Sequence, residues 1–217
     1  QTLDYTSAQA RKARVQWPTQ AAAMRSSHKL KDITWFVPYF NHPYGGVHTI
    51  LRFGSLLQKL HGVKSRFVIY DAPHASEREL EARVATLFPT PPGTFHVLKT
   101  FEAMAELPNT DLAIGTLWTS IYFINRFTRA GAKAYFVQDF EPLFYPAGSF
   151  YALAEQTYRL GLYGIFNTQG LHDYVAANYP MSGVAFEPAV DRSVFHAQRP
   201  EKQRPVRIFF YARPSTH

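Results

Sequence analysis

The chain has 217 residues, 46% of them hydrophobic and 16% aromatic, enough to bury one generous domain and to exclude wholesale disorder. It contains no cysteine, which excludes disulfide frameworks and thiolate metal sites and fits a cytoplasmic protein. The net charge of +7 is unevenly spread: residues 1–31 hold six Lys/Arg against one acid, and the rest hold seventeen against fifteen. A nearly neutral globular part argues against nucleic-acid binding, which places its basic residues on the folded face that grips phosphate. The basic arm, residues 1–31, suits either peripheral contact with an anionic membrane surface or a solvated course along the domain. No run of about 20 apolar residues could span a bilayer, and no signal-peptide pattern opens the chain.

From Asp32 onward, short apolar runs alternate with helical patterns. Ile33 to Phe40 predicts a strand. Val47, Ile50, Leu51, Gly54, Leu57 and Leu60 recur at helical spacing, with Gly62 closing that helix. Arg66 to Tyr70 predicts a second strand, and Ser76 to Phe88 a helix with Leu80, Val84 and Leu87 on one face. Phe95 to Leu98 and Asp111 to Gly115 predict strands, the latter followed by a helix through Ile121, Ile124 and Phe127. Ala132 to Gln138 and Tyr163 to Asn167 predict strands flanking a helix around Ala152 to Leu160, and Gly183 to Phe186 ends the set. This rhythm predicts an α/β fold, a doubly wound, Rossmann-like parallel sheet. The proline-broken stretch 197–205 reads as a linker, and Val206 to Ala212 as a strand that opens another domain. The expected division is a basic arm (1–31), a Rossmann-like domain (32–196), a linker (197–205) and the first strand of a truncated second domain (206–217). A bare apolar strand at 206–212 would favour self-association.

Open parallel sheets bind ligands at the carboxyl ends of their strands, which selects four loops. The first holds Gly45 and Gly46, which let backbone N–H groups approach a phosphate at a helix start or serve only packing. The second holds Thr116 and Trp118, which suit a sugar, or else a helix N-cap with a buried indole. The third runs from Gln138 and Asp139 through Glu141 to Tyr145, two carboxylates among aromatics that could orient or deprotonate an acceptor hydroxyl. The fourth, Asn167-Thr168-Gln169, has Thr168 as an expected N-cap. The nine histidines show no metal-ligand spacing, and no GxGxxG, Walker, GxSxG or HExxH motif occurs.

The Gly45-Gly46 loop, the Gln138-Asp139 strand end, NTQGLHDYV at 167–175, FEPAVDRSVF at 186–195 and FFYARP at 209–214 stand in an order that resembles the N-terminal half of a family-4 (group 1) GT-B glycosyltransferase. VPYFNHPYGGVHTILRF and VQDFEPLFYPAGS are most similar to the rhamnosyltransferase branch that builds bacterial surface glycans. The resemblance implies retaining transfer of a sugar, rhamnose in that branch, from a nucleotide-sugar substrate to a glycan or lipid-linked acceptor, on the cytoplasmic side and at the inner face of the plasma membrane. It implies no cofactor and no essential metal. It implies donor-diphosphate contacts at Gly45, Gly46 and Arg213, acceptor contacts at His48, Thr116, Trp118, Gln138, Glu141 and Tyr145, and a catalytic role for Asp139. Gln138 stands where the family has histidine, which weakens a general-base reading there, and the donor pocket is absent from this chain. The expectation is therefore an acceptor-binding domain, inactive alone. The alternatives are a non-catalytic half that needs a separate donor-binding subunit, and an unrelated nucleotide-binding α/β protein.

Overall fold

The computed structural model describes residues 30–43 and 45–189, together with positions 196, 208 and 210. Arg213, the linker 197–205, most of the basic arm and the strand expected at 206–212 lie outside the described residues; Ile208 and Phe210 within that last segment are exposed.

Seven strands form one parallel sheet: β1 (Asp32–Val37), β2 (Lys64–Ile69), β3 (Thr94–Val97), β4 (Thr110–Gly115), β5 (Ala130–Val137), β6 (Tyr163–Phe166) and β7 (Gly183–Ala185). Five helices connect them: α1 (Gly46–His61), α2 (Glu77–Ala85), α3 (Trp118–Arg126), α4 (Ser149–Thr157) and α5 (Gln169–Asn178). Two 3₁₀ turns, Glu102–Glu106 and Glu141–Phe144, were not legible from periodicity. The strand order is β3-β2-β1-β4-β5-β6-β7. This is the Rossmann-like α/β architecture that the alternation predicts.

Alternate side chains of each inner strand feed two cores. Ile33, Trp35 and Val37 of β1 and Phe136 of β5 join Ile50 and Leu51 of α1 and Leu80 and Val84 of α2. Phe36, Tyr135 and Val137 point to the other face, with Ile121 and Ile124 of α3 and Val175 of α5. Both faces are covered, so β1 reads as a continuous apolar run in which even Thr34 is buried. Trp35, Phe53 and Phe186 all pack on the Phe136 ring, at 5.9, 5.1 and 5.5 Å between centroids.

Helix α1 ends where the sequence predicts. Gly62 takes the left-handed conformation (φ 69°) and donates to the Gln58 carbonyl, while Val63 donates to Leu57. Two expected core positions are instead exposed. Leu60 faces solvent from the last turn of α1, and Leu87 lies beyond Ala85, where α2 has already stopped, so the helical spacing that would bury it no longer applies. Helix α4 begins three residues before the expected start and stops at Thr157, which leaves Tyr158 free to turn into the core. Among the described residues no helix is long and apolar enough to cross a membrane.

Candidate functional site

The chain leaves β3 at one edge and returns in β4 beside β1. The crevice at the carboxyl ends of β1 and β4 is therefore the point where strand order reverses, and such points receive ligands in open α/β sheets. A cleft of about 650 Å³ opens at the opposite, amino end, lined by Asp32, Lys64, Arg66, Thr94 and Asn109 among others. Asp32 there is committed to the Asp111 N–H. The helix starts and the convergent polar groups all lie at the carboxyl end, where we place the site.

The loop after β1 is braced from the side. The Asp71 carboxylate accepts from the Tyr39 N–H at 2.7 Å, and Arg83 donates to the Tyr39 hydroxyl and the Phe40 carbonyl at 3.0 and 3.2 Å. Burial raises the Asp71 pKa, and its backbone hydrogen bonds partly offset this. The loop ends at Gly45, whose φ of 58° suits glycine, and it carries no side-chain cap into α1. A Cβ on Gly46 would lie 2.9 Å from Gln138 Nε2 and 3.0 Å from Oε1, so the loop after β1 rests directly on the side chain at the end of β5.

At the end of β4, the Thr116 hydroxyl is buried and donates to the Phe36 carbonyl at 2.9 Å. Thr116 thus ties β4 to β1 and is not the N-cap; that position falls to Leu117, and Ser120 Oγ accepts from the N–H groups of Thr116 and Leu117. Trp118 follows, 5% exposed. Its indole N–H donates to the Tyr145 hydroxyl at 3.0 Å, and its ring stands edge-on to Tyr145 and Tyr122. Of the two readings that the sequence leaves open for Trp118, the structure has the buried indole. The aromatic surface that remains outward includes Tyr145, half-buried, Phe144, 39% exposed, and Phe150, 61% exposed and 5.5 Å from Tyr145.

Beyond β5 the two carboxylates part. Asp139 is exposed, and one of its oxygens accepts from the Phe140 N–H at 2.7 Å. Glu141 is 2% exposed and turned inward, where one oxygen accepts from the Trp118 N–H at 2.5 Å and the Tyr135 hydroxyl at 2.7 Å. Burial pushes its carboxyl pKa up to about 8, against the lowering effect of those two donors. Tyr158 closes the base: its hydroxyl donates to the Asp139 carbonyl and accepts from the Glu141 N–H. From β6, the Asn167 side chain donates to the Gln138 carbonyl at 3.1 Å, and Thr168 caps α5 as its sequence position predicts.

The structure thus joins Gly46 to Gln138, Glu141 to Trp118, and Trp118 to Tyr145. It draws His48 away, onto Phe88 past the end of α2, with ring centroids 5.2 Å apart. Sequence reasoning missed Tyr135 and Tyr158. A tyrosine inside an aliphatic buried strand needs a partner for its hydroxyl, and that was the available signal. Among the described residues no cluster of three or more His, Asp or Glu could hold a metal.

These contacts make a double-mutant cycle informative. Gly46→Ala pushes only the mobile end of Gln138, so we expect a loss of about 1 kcal/mol or less. Adding Gln138→Ala should recover most of it, with a coupling of about 0.5–1 kcal/mol in urea unfolding; strict additivity would show that the two loops do not touch.

A family described as "WsaF, N-terminal domain" matches residues 36–169, more than half of the chain and all four loops. The chain belongs to this family. The O-antigen biosynthesis protein RfbC of Myxococcus xanthus is 52% identical over 211 residues, 97% of this chain but 16% of the relative. The chain thus spans about a sixth of that relative's length.

Proposed function

We propose that this chain is the acceptor-binding domain of a family-4, GT-B glycosyltransferase that extends a bacterial surface glycan. The likeness to an O-antigen biosynthesis protein supports the glycan class. The observation that carries the acceptor role is the aromatic wall at the carboxyl ends of β4 and β5, with Tyr145 and Phe150 outward and Trp118 behind them. Sugars present a C–H face to such rings and hydroxyls to the polar groups beside them. Exposed Asp139, at the end of β5 on the same loop as Tyr145, uses one oxygen on the Phe140 N–H; the other orients the attacking acceptor hydroxyl. Gly45 and Gly46 offer uncapped backbone at the start of α1 to the donor diphosphate, with Arg213 contributing from the donor side. The donor sugar is rhamnose, carried on a nucleotide and transferred with retention of configuration, with no essential metal. The enzyme works at the inner face of the plasma membrane, where the basic arm touches anionic lipid, and this chain alone does not turn over.

The test is Asp139→Asn in the full-length enzyme. We expect turnover to fall by about a hundredfold or more with little change in acceptor affinity. Unchanged turnover would remove Asp139 from the chemistry, and measurable transfer by the 217-residue chain alone would contradict the division of labour.

A further inference from the structure

Glu141 is the one carboxylate among the described residues that is almost fully buried, and no cation pairs with it there. An amide at this position would accept the same two hydrogen bonds without desolvating an ionisable group. The carboxyl group sits at the centre of a closed set of contacts. It takes the N–H of Trp118 at the start of α3 and the hydroxyl of Tyr135 in β5. Four residues on, Tyr145 returns to accept the Trp118 indole N–H. The 3₁₀ turn Glu141–Phe144 spans between, and Tyr158 fixes the start of that turn through the Glu141 N–H. Trp118 then leans on Phe150 at 6.4 Å, and Phe150 on Tyr145 at 5.5 Å.

We propose that Glu141 is the positioning residue of the acceptor wall: it never touches the sugar, and it sets the angle at which Tyr145 and Phe150 meet it by pinning Trp118 behind them. This rests on the acceptor-binding role proposed above. The groups facing the carboxyl are Tyr135 from β5, Tyr158 after α4, Tyr70 at the end of β2, and Asp139 from its own turn. Burial holds all three tyrosines well above the ordinary phenol range, so they stay neutral where Glu141 titrates. Loss of the Glu141 proton adds a charge beneath Trp118 and strengthens both accepted hydrogen bonds. The wall therefore has two slightly different settings, above and below the Glu141 midpoint.

The experiment follows the Trp118 indole N–H signal by NMR in the 217-residue chain from about pH 6 to about 9.5, assigned by its loss in Trp118→Phe. In the wild-type chain we expect the signal to shift with a midpoint near pH 8. In Glu141→Gln it should stay in place across the range, and in Glu141→Leu it should move at every pH as the Trp118 anchor is lost. Affinity for a methyl rhamnoside probe should fall about tenfold in Glu141→Leu and under about threefold in Glu141→Gln at neutral pH. The same titration surviving in Glu141→Gln overturns the proposal, as does an unmoved signal in a folded Glu141→Leu chain; if that variant does not fold, Glu141→Gln alone decides. A wild-type chain that binds no rhamnoside yet shows the Glu141-dependent titration overturns the acceptor reading and the sugar part of this proposal, while upholding the pin. Sugar binding with Trp118 indifferent to Glu141 does the reverse.

Discussion

Replacing Tyr158 with alanine should destabilise the domain by about 3–5 kcal/mol, the range for deleting a fully buried aromatic ring. Tyr158 is 0% exposed and stacks on Tyr135 and Phe140, with ring centroids 5.8 and 5.6 Å apart. Its hydroxyl is equally committed, to Asp139 and Glu141. Tyr158→Phe keeps the ring but leaves the buried Glu141 N–H unpartnered, so we expect about 1–3 kcal/mol from that change alone. Urea unfolding of the two variants separates the ring from the hydroxyl. The phenylalanine variant should also loosen the turn after β5 and so weaken acceptor binding beyond its effect on stability.

The second large effect concerns pH. Glu141 has its folded pKa raised to about 8 from the ordinary 4.5. The unfolded chain therefore releases this proton first, and folding must hold it or bury a charge. Below the ordinary pKa both states are protonated and the shift contributes nothing. As pH rises from there towards about 8, stability falls, and above about 8 the full penalty applies. A salt-bridged carboxylate, with its pKa lowered, would show the opposite slope. At 1.36 kcal/mol per unit the ceiling is on the order of 5 kcal/mol. Glu141→Gln removes the titration, so the variant should match the wild-type chain near pH 5 and exceed it in stability by a few kcal/mol near pH 9. Equal stabilities at pH 9 would mean that Glu141 is solvated or paired in the folded state.

Much of the fold is written in local patterns. The runs at ITWFV, RFVI and AYFV are apolar on both faces, so they predict inner strands of a covered sheet wherever they fall. Gly62 and Thr168 end and begin helices through chemistry confined to a few residues, and both act as their positions predict. Leu87 is misplaced because α2 stops at Ala85, and where that helix stops against its neighbours is not encoded within the same stretch of chain.

The candidate site was legible as loops but not as orientations. The motif from Gln138 to Tyr145 stood out by composition, yet nothing local says that Asp139 turns out and Glu141 turns in. That choice is made by Tyr135, Tyr158 and the Trp118 N–H, which come from three other elements. The same is true of Thr116, whose hydroxyl serves the Phe36 carbonyl 80 residues away. The sequence leaves Trp118 open between a sugar-stacking and a buried indole because its partner Tyr145 lies beyond β5, outside any local window.

The central claim, that this domain holds the acceptor at the Tyr145–Phe150 wall, is tested most directly by NMR titration of the 217-residue chain with two ligands. One is a rhamnosyl oligosaccharide and the other a nucleotide-linked rhamnose. The claim predicts that the oligosaccharide moves the signals of Tyr145, Phe150 and the Trp118 indole, and that the nucleotide sugar leaves them in place. Tight nucleotide-sugar binding at that wall, or an oligosaccharide that moves none of those signals, would contradict it.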